Sequence, residues 1–303
     1  MSAAARRRTP SPAVLVAVAL LALTAGALFW PAQPRLRGDG ALLVLLPGPE
    51  ARRVEALRGL ADHLGAAARL DLRVQTVGDP QTLHRELASA RVVICPDAVA
   101  MGLPASAWQP AAAGRRQVPW NLRPASVLVS RAGAPPADAP WRSSPGRTVV
   151  GDSLSLVCRA PLWADGPFAA PAELSWGQDP FDHAGVLEAM RLGRFDYAVV
   201  RQWDAEAALA AGRLGDGDWR VRPLSDPVPD MVVMVSRQLP AAARVDLQEA
   251  LVVLGRQDDG GGAVAAVSAG LGLLGLDGFN AVLGPDWDRL RKRYGPCWPG
   301  AGR

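Results

Sequence analysis

The chain predicts a mixed α/β protein of two lobes behind an apolar N-terminal segment. Apolar runs and helical patterns alternate from Ala41 onward, a helix leads directly into a strand across 179–200, and Pro12–Trp30 carries no charge. Beyond the first forty residues the length leaves room for two lobes of ordinary size.

Arg6, Arg7 and Arg8 precede the uncharged run PAVLVAVALLALTAGALFW. Its length lies between a signal-peptide core and a spanning helix. Ala25-Gly26-Ala27 offers a cleavage pattern, but Leu28, Phe29 and Trp30 prolong the apolar run, and Trp30 suits a membrane interface. An uncleaved N-terminal membrane helix is the expectation and a cleaved signal the alternative. Both leave the basic flank inside and export the rest. After a Pro/Gly/Arg linker, Ala41–Leu46 reads as a buried strand ending at Pro47-Gly48-Pro49. Glu50–Leu64 aligns Val54, Leu57, Leu60, Ala61 and Leu64 on one helical face, with Gly65 as the stop. Leu70–Val77 reads as a strand, Asp79–Ala88 as a helix and Arg91–Cys95 as a strand ending at Pro96-Asp97. This order implies a parallel sheet with right-handed crossovers.

Trp108–Pro124 reads as irregular, and Ala125–Arg131 as a strand. Gly133–Pro145, rich in Pro, Ala and Ser, is the expected first crossing between lobes. The strand Arg147–Val150 runs into Gly151-Asp152-Ser153-Leu154-Ser155 and a helix from Leu156. In DPFDHAGVLEAMRLGRFDYAVV, Asp179 reads as N-cap, Pro180 as first helical residue, and Gly193 as helix stop. Phe195–Val200 is a short strand with apolar residues on both faces. A helix from Asp204 to Leu214 follows, then strands Trp219–Leu224 and Met231–Ser236 flanking a second crossing, Ser225–Asp230. Helices are expected over Ala241–Gly255, Ala263–Leu274 and Asp286–Tyr294. The implied organisation is a signal or anchor segment, 1–33, then lobe one over 34–135 and 228–303, with lobe two, 136–227, inserted between.

The net charge of +4 overstates the basicity of the body, because Arg6–Arg8 supply three of those charges. The remaining arginines are scattered among acids with no aromatic-interleaved basic run, which argues against nucleic-acid binding. Cys95 lies in an apolar strand and reads as a buried free thiol, while pairing of Cys158 with Cys297 stays open, since their spacing proves nothing. No cysteines and histidines fall at metal-ligand spacing, so no metal site is expected. His63 and His84 sit in polar helix faces, and nucleophile elbows, zinc-protease motifs and phosphate-binding glycine loops are absent. Neither catalysis nor a cofactor is expected.

Four stretches, in order, resemble the phosphonate/phosphate-type periplasmic substrate-binding proteins. LLPGPEARRVEALRGLADHLG resembles the opening strand and helix of that family, and RPASVLVSRAGAPPADAPWRSSPGRTVVGDSLS its strand, crossing and serine-bearing loop. The 179–200 stretch resembles its "H…AL..G..DAA" pattern, and SDPVPDMVVMVSRQLPAAARVDLQEALVVL its return crossing and following helix. The match spans Leu42–Tyr294. The chain departs from the family at Asp152-Ser153-Leu154-Ser155, where an acid precedes the serines and no glycine follows, and at Pro49-Glu50-Ala51. The resemblance implies a type II periplasmic-binding-protein fold, two α/β lobes joined by two crossings.

The same resemblance, with the rule that open sheets bind ligands beyond the carboxyl ends of their strands, nominates six ligand-binding residues. Ser153 and Ser155 offer hydroxyls at a helix start, and His183 a ring N–H, to one oxyanion. Asp152 repels a dianion unless paired, and Arg201 pairs with Asp152 or with the ligand. Asp97, on the rim of lobe one, accepts from ligand donors. Helix capping is the alternative for the serines. Asp226 and Asp230, at the return crossing, offer acceptors like Asp97, with turn-forming roles the alternative for all three, and a solvated surface is the alternative for Arg201. The implied function is extracytoplasmic capture of a small anion for a membrane permease. A sensory or partner-regulating module on the same fold is the alternative, and an enzyme of the dehydratase kind the third reading.

Overall fold

The structure, a computed structural model, describes residues 39–46, 51–115, 125–131, 147–151, 174–176, 183–215, 217, 219–224, 229, 231–254, 262–282 and 284–294. Residues 38–303 form one compact unit. Pro12–Trp30, Asp152, Ser153, Ser155, Cys158, Asp179, Pro180 and Cys297 lie outside the described residues. Within them, no helix is long and apolar enough to cross a membrane.

Sheet A has the order β11-β4-β10-β3-β1-β2. Its strands are β1 (Asp39–Leu45), β2 (Asp71–Val77), β3 (Ala90–Pro96), β4 (Trp108–Arg115), β10 (Met231–Ser236) and β11 (Gly278–Ala281). β1, β2 and β3 are parallel, as the alternating pattern requires. β10 runs antiparallel to both β3 and β4, and β11 antiparallel to β4. The alternation of side chains puts Leu42 and Val44 on one face and Leu43 and Leu45 on the other, all buried. The first face meets α1 (Ala51–Ala68), α6 (Ala241–Val253) and α7 (Gly262–Leu273) through Leu57, Leu60, Leu64, Leu247, Leu251, Val267 and Leu271. The second meets α2 (Pro80–Glu86), α3 (Asp97–Gly102) and α8 (Gly284–Tyr294) through Leu83, Val99, Met101 and Trp287. Each such buried leucine contributes about 2 kcal/mol of burial.

Gly65 does not stop α1, which continues to Ala68. The stop is Arg69, whose φ of 56° lets the Leu70 N–H reach the Gly65 carbonyl at 2.8 Å. Gly65 is needed there for space: a Cβ would lie 2.6 Å from the Leu70 carbonyl oxygen. Trp108–Arg115 is a strand between two partners, not an irregular stretch. Pro110 and Gly114 mask it in sequence, but Pro110 stands opposite Met234 where the register shifts, the place where a strand tolerates proline.

The start of α2 carries a sequence-legible cap. Asp79 accepts from the Thr82 N–H at 2.8 Å and from the Thr82 hydroxyl at 2.8 Å. The Thr82 backbone and hydroxyl hydrogen bonds hold the Asp79 carboxyl below its ordinary range. Asp79→Ala is expected to cost about 1 kcal/mol in urea unfolding at neutral pH. Because the folded-state pKa is depressed, the contribution is present above the unfolded pKa and lost as pH falls through the folded one. The gap between wild type and variant therefore closes in acid; a gap independent of pH would contradict the cap.

Sheet B has the order β7-β6-β8-β5-β9. Its strands are β5 (Ser126–Arg131), β6 (Thr148–Val150), β7 (Leu174–Trp176), β8 (Tyr197–Arg201) and β9 (Trp219–Pro223). β6, β7 and β8 are parallel; β5 is antiparallel to β8 and to β9. α4 (His183–Arg191) and α5 (Gln202–Ala210) cover one face through Val186, Leu187, Met190, Ala205 and Ala208. On the other face Leu128, Val150, Tyr197 and Val199 belong to the same apolar cluster as the second face of sheet A. Gly193, with φ of 75°, ends α4, and the Arg194 N–H meets the Ala189 carbonyl at 3.0 Å.

β5 belongs to sheet B, so the chain changes sheet between Arg115 and Ser126. The expected first crossing, Gly133–Pro145, instead joins two strands of one sheet, and the lobe boundary moves ahead of β5. An apolar strand such as SVLVS does not say which sheet it joins; that depends on its antiparallel partners β8 and β9. The chain returns to sheet A between Pro223 and Met231.

Candidate functional site

Strand direction brings the polar residues of the two sheets to comparable edges. The carboxyl ends of β1, β2 and β3 share an edge with the end of β4 at Arg115 and the start of β10 at Met231, which pairs with Pro96. The carboxyl ends of β6 and β8 share an edge with the start of β5, where Ser126 pairs with Arg201, and the end of β9, where Pro223 pairs with Val127. Both crossings thus leave and enter at the carboxyl edges. Those edges are where an α/β sheet binds ligands.

On sheet B this edge holds a compact polar cluster. Gly151 follows β6, and its N–H donates to the Val199 carbonyl at 2.9 Å. His183 is the first residue of α4 and 1% exposed. Its Nδ1 accepts from the Arg201 N–H at 3.3 Å. The neutral ring then carries its proton on Nε2, leaving that nitrogen as a donor. Gly151 makes room for the ring, because a Cβ there would lie 2.5 Å from His183 Nδ1. Arg201 ends β8 and is 3% exposed. Its Nε donates to Asp204 Oδ2 at 2.6 Å, and its guanidinium sits 5.3 Å from the centre of the Trp203 ring. Ser126, in register with Arg201, is fully buried.

Arg201 is not on a solvated surface, the alternative its sequence position left open, and His183 is buried as well; β5, β6 and α5 close around the end of β8. Arg201 is matched by Asp204, three residues on, a pairing that the Arg-x-x-Asp spacing at a strand-to-helix junction signals in sequence. Gly151, Ser126 and Trp203 were not legible as site residues. Asp152, Ser153 and Ser155 follow Gly151 in sequence and lie outside the described residues.

On sheet A, Asp97 opens α3 directly after β3 and is fully buried. Its Oδ1 accepts from the Ala98 N–H at 2.8 Å. Arg115, at the same edge, pairs with Asp277 at 3.2 Å. His84 is exposed, with Nδ1 2.8 Å from the Pro80 carbonyl oxygen, whereas His63 is half-buried rather than fully solvated. Among the described residues no three His, Cys, Asp or Glu side chains are placed to hold a metal ion.

Cys95, next to Pro96 at the end of β3, is free and fully buried. Burial, reinforced by the negative charge of Asp97, pushes its thiol far above the ordinary range. Cys95 in the folded chain is therefore expected to stay unmodified by iodoacetamide at pH 8 and to react only after unfolding in urea, as read by peptide mass mapping. Rapid modification of the native protein would contradict the packing of this edge.

No protein-family model and no curated protein matches the sequence. Solved structures do match. A Xanthomonas citri protein bound to ATP superposes with a TM-score of 0.63 at 16% identity, covering 86% of this chain and 96% of its own. PhnD1 from Prochlorococcus marinus in complex with methylphosphonate gives a TM-score of 0.56 at 10% identity, covering 85% of this chain and 97% of its own. A binding-protein component of an ABC phosphonate transporter from Pseudomonas aeruginosa gives 0.55 at 10% identity, covering 86% and 87%. These likenesses establish the fold as that of the type II periplasmic binding proteins.

Proposed function

We propose that the chain is an extracytoplasmic solute-binding protein that holds a small oxyanion between the carboxyl edges of its two sheets and hands it to a membrane transporter. The observation that carries this reading is the buried His183–Arg201 cluster at the sheet B edge, on the side from which both crossings depart. Two structural neighbours hold phosphorus oxyanions, ATP and methylphosphonate, which supports the ligand class. A third is the binding component of an ABC transporter, which supports the partner. Pro12–Trp30 supplies the anchor and Asp97 faces the ligand from lobe one. The N-terminal export signal argues against cytoplasmic enzymes built on this fold.

The electrostatics refine the ligand. Arg201 is already neutralised by Asp204. The anion is therefore held by neutral donors, His183 Nε2–H and the hydroxyls of Ser153 and Ser155, rather than by an unmatched guanidinium; Asp152 disfavours a full dianion. Calorimetric titration of the full chain with inorganic phosphate, methylphosphonate, ATP and methanesulfonate tests this. One of the phosphorus oxyanions is expected to saturate a single site per chain, and binding should weaken as pH rises and the second proton of phosphate or methylphosphonate is lost. Absence of binding by all four would remove the oxyanion reading.

A further inference from the structure

A cavity lies on the outer side of sheet B, between α4 and α5. Its volume is about 410 Å³, within the range of small-molecule sites. Ala184, Gly185, Ala207 and Ala208 keep the two helix walls low, and Leu187 and Leu214 give it an apolar lining. Three charged residues line it: Glu188, Asp204 and Arg213.

Their bonding states differ. Both Glu188 oxygens are taken by Arg191, at 2.5 and 2.8 Å. Asp204 gives one oxygen to Arg201, and among the described residues its Oδ1 has no partner. Arg213 is exposed and, among the described residues, makes no ion pair. Among the described residues, the cavity thus offers one carboxylate oxygen and one guanidinium that remain to be matched. A single cation would leave Arg213 unused, and a single anion would meet Asp204.

We propose that this groove is a second ligand site for a small zwitterion. The ammonium of the ligand meets Asp204, its carboxylate meets Arg213, and its short apolar spacer lies on Leu187, Ala208 and Leu214. Asp204 is also the residue that holds Arg201 at the cleft edge. A cation at Asp204 therefore competes with Arg201, and occupancy of the groove is felt in the cleft. This inference does not depend on which anion the cleft takes.

The test uses the full chain and thermal unfolding, with γ-aminobutyrate and glycylglycine as zwitterions and butylamine and butyrate as single-charge controls. A zwitterion at about ten times its dissociation constant should raise the midpoint by about 3–5 °C. The controls should bind about tenfold more weakly or worse. Arg213→Gln changes an exposed side chain and should abolish the shift without disturbing the fold. Ala207→Phe, which fills the groove without altering a charge, should abolish it too. A shift retained in both variants places the zwitterion in the cleft and overturns the proposal, as does the absence of any shift at 10-millimolar-order concentrations. Loss of anion binding in the titrations above, with the zwitterion shift intact, would remove the cleft reading and leave this one standing.

Discussion

Gly59→Ala is expected to destabilise the protein by about 1–3 kcal/mol, although alanine is the better helix former by about 1 kcal/mol. Gly59 lies inside α1, where it faces α7. A Cβ there would stand 2.6 Å from Ala266 Cβ, 2.7 Å from its carbonyl carbon and 2.8 Å from its carbonyl oxygen. The carbonyl atoms are helix backbone and the Cβ is fixed rigidly to it, so none can swing away and the two helices must separate. Separation loosens Leu57, Leu60, Leu64, Val267 and Leu271 together, since all five belong to one buried cluster. Gly270 makes the reciprocal approach, with a Cβ position 3.0 Å from the Ala56 carbonyl oxygen. Gly272, also in α7, has nothing within 4 Å of its Cβ position. Gly272→Ala should therefore be neutral or stabilising by about 0.5–1 kcal/mol. Urea midpoints that move the same way for both substitutions would contradict the close helix contact.

The second large effect is expected at His183. His183→Ala removes the ring that accepts the Arg201 N–H and empties a buried position. Loss of a buried acceptor costs about 1–3 kcal/mol of stability. Loss of the Nε2–H donor should weaken oxyanion binding by about 1–3 kcal/mol, roughly tenfold to hundredfold. Gly151→Ala reaches the same ring without changing its chemistry, because its Cβ would collide with His183 Nδ1. Both variants should lose affinity while circular dichroism shows them folded at the titration temperature. Wild-type affinity in both would move the site away from the sheet B edge.

Much of the fold was legible because the elements obey local rules. Val54, Leu57, Leu60 and Leu64 repeat at helical spacing, Asp79-Pro80 starts a helix, and Gly193 ends one; each of these acts through its own neighbourhood. What was not legible depends on contacts distant in sequence. β4 contains Pro110 and three consecutive alanines, and is a strand because β10 and β11 flank it. β11 has only four residues, Gly278–Ala281, too few for a period to show. The sheet membership of β5 rests on β8 and β9. In the site, His183 was legible as a helix start and a donor, but its burial follows from Gly151, thirty-two positions earlier. The need for Gly59 likewise comes from Ala266, which no pattern within α1 can reveal.

The central claim is that solute binds between the carboxyl edges of both sheets, and hydrogen–deuterium exchange tests it most directly. The full chain would be followed by mass spectrometry with and without saturating methylphosphonate, or whichever oxyanion the titration selects. Protection is predicted at once on both edges: at Asp97–Ala98 beyond β3, at Gly151 beyond β6, at the start of α4 around His183, and at Arg201–Gln202. The outer halves of α1 and α6 should be unchanged. Protection confined to one sheet, or to the α4–α5 groove, would contradict a shared cleft.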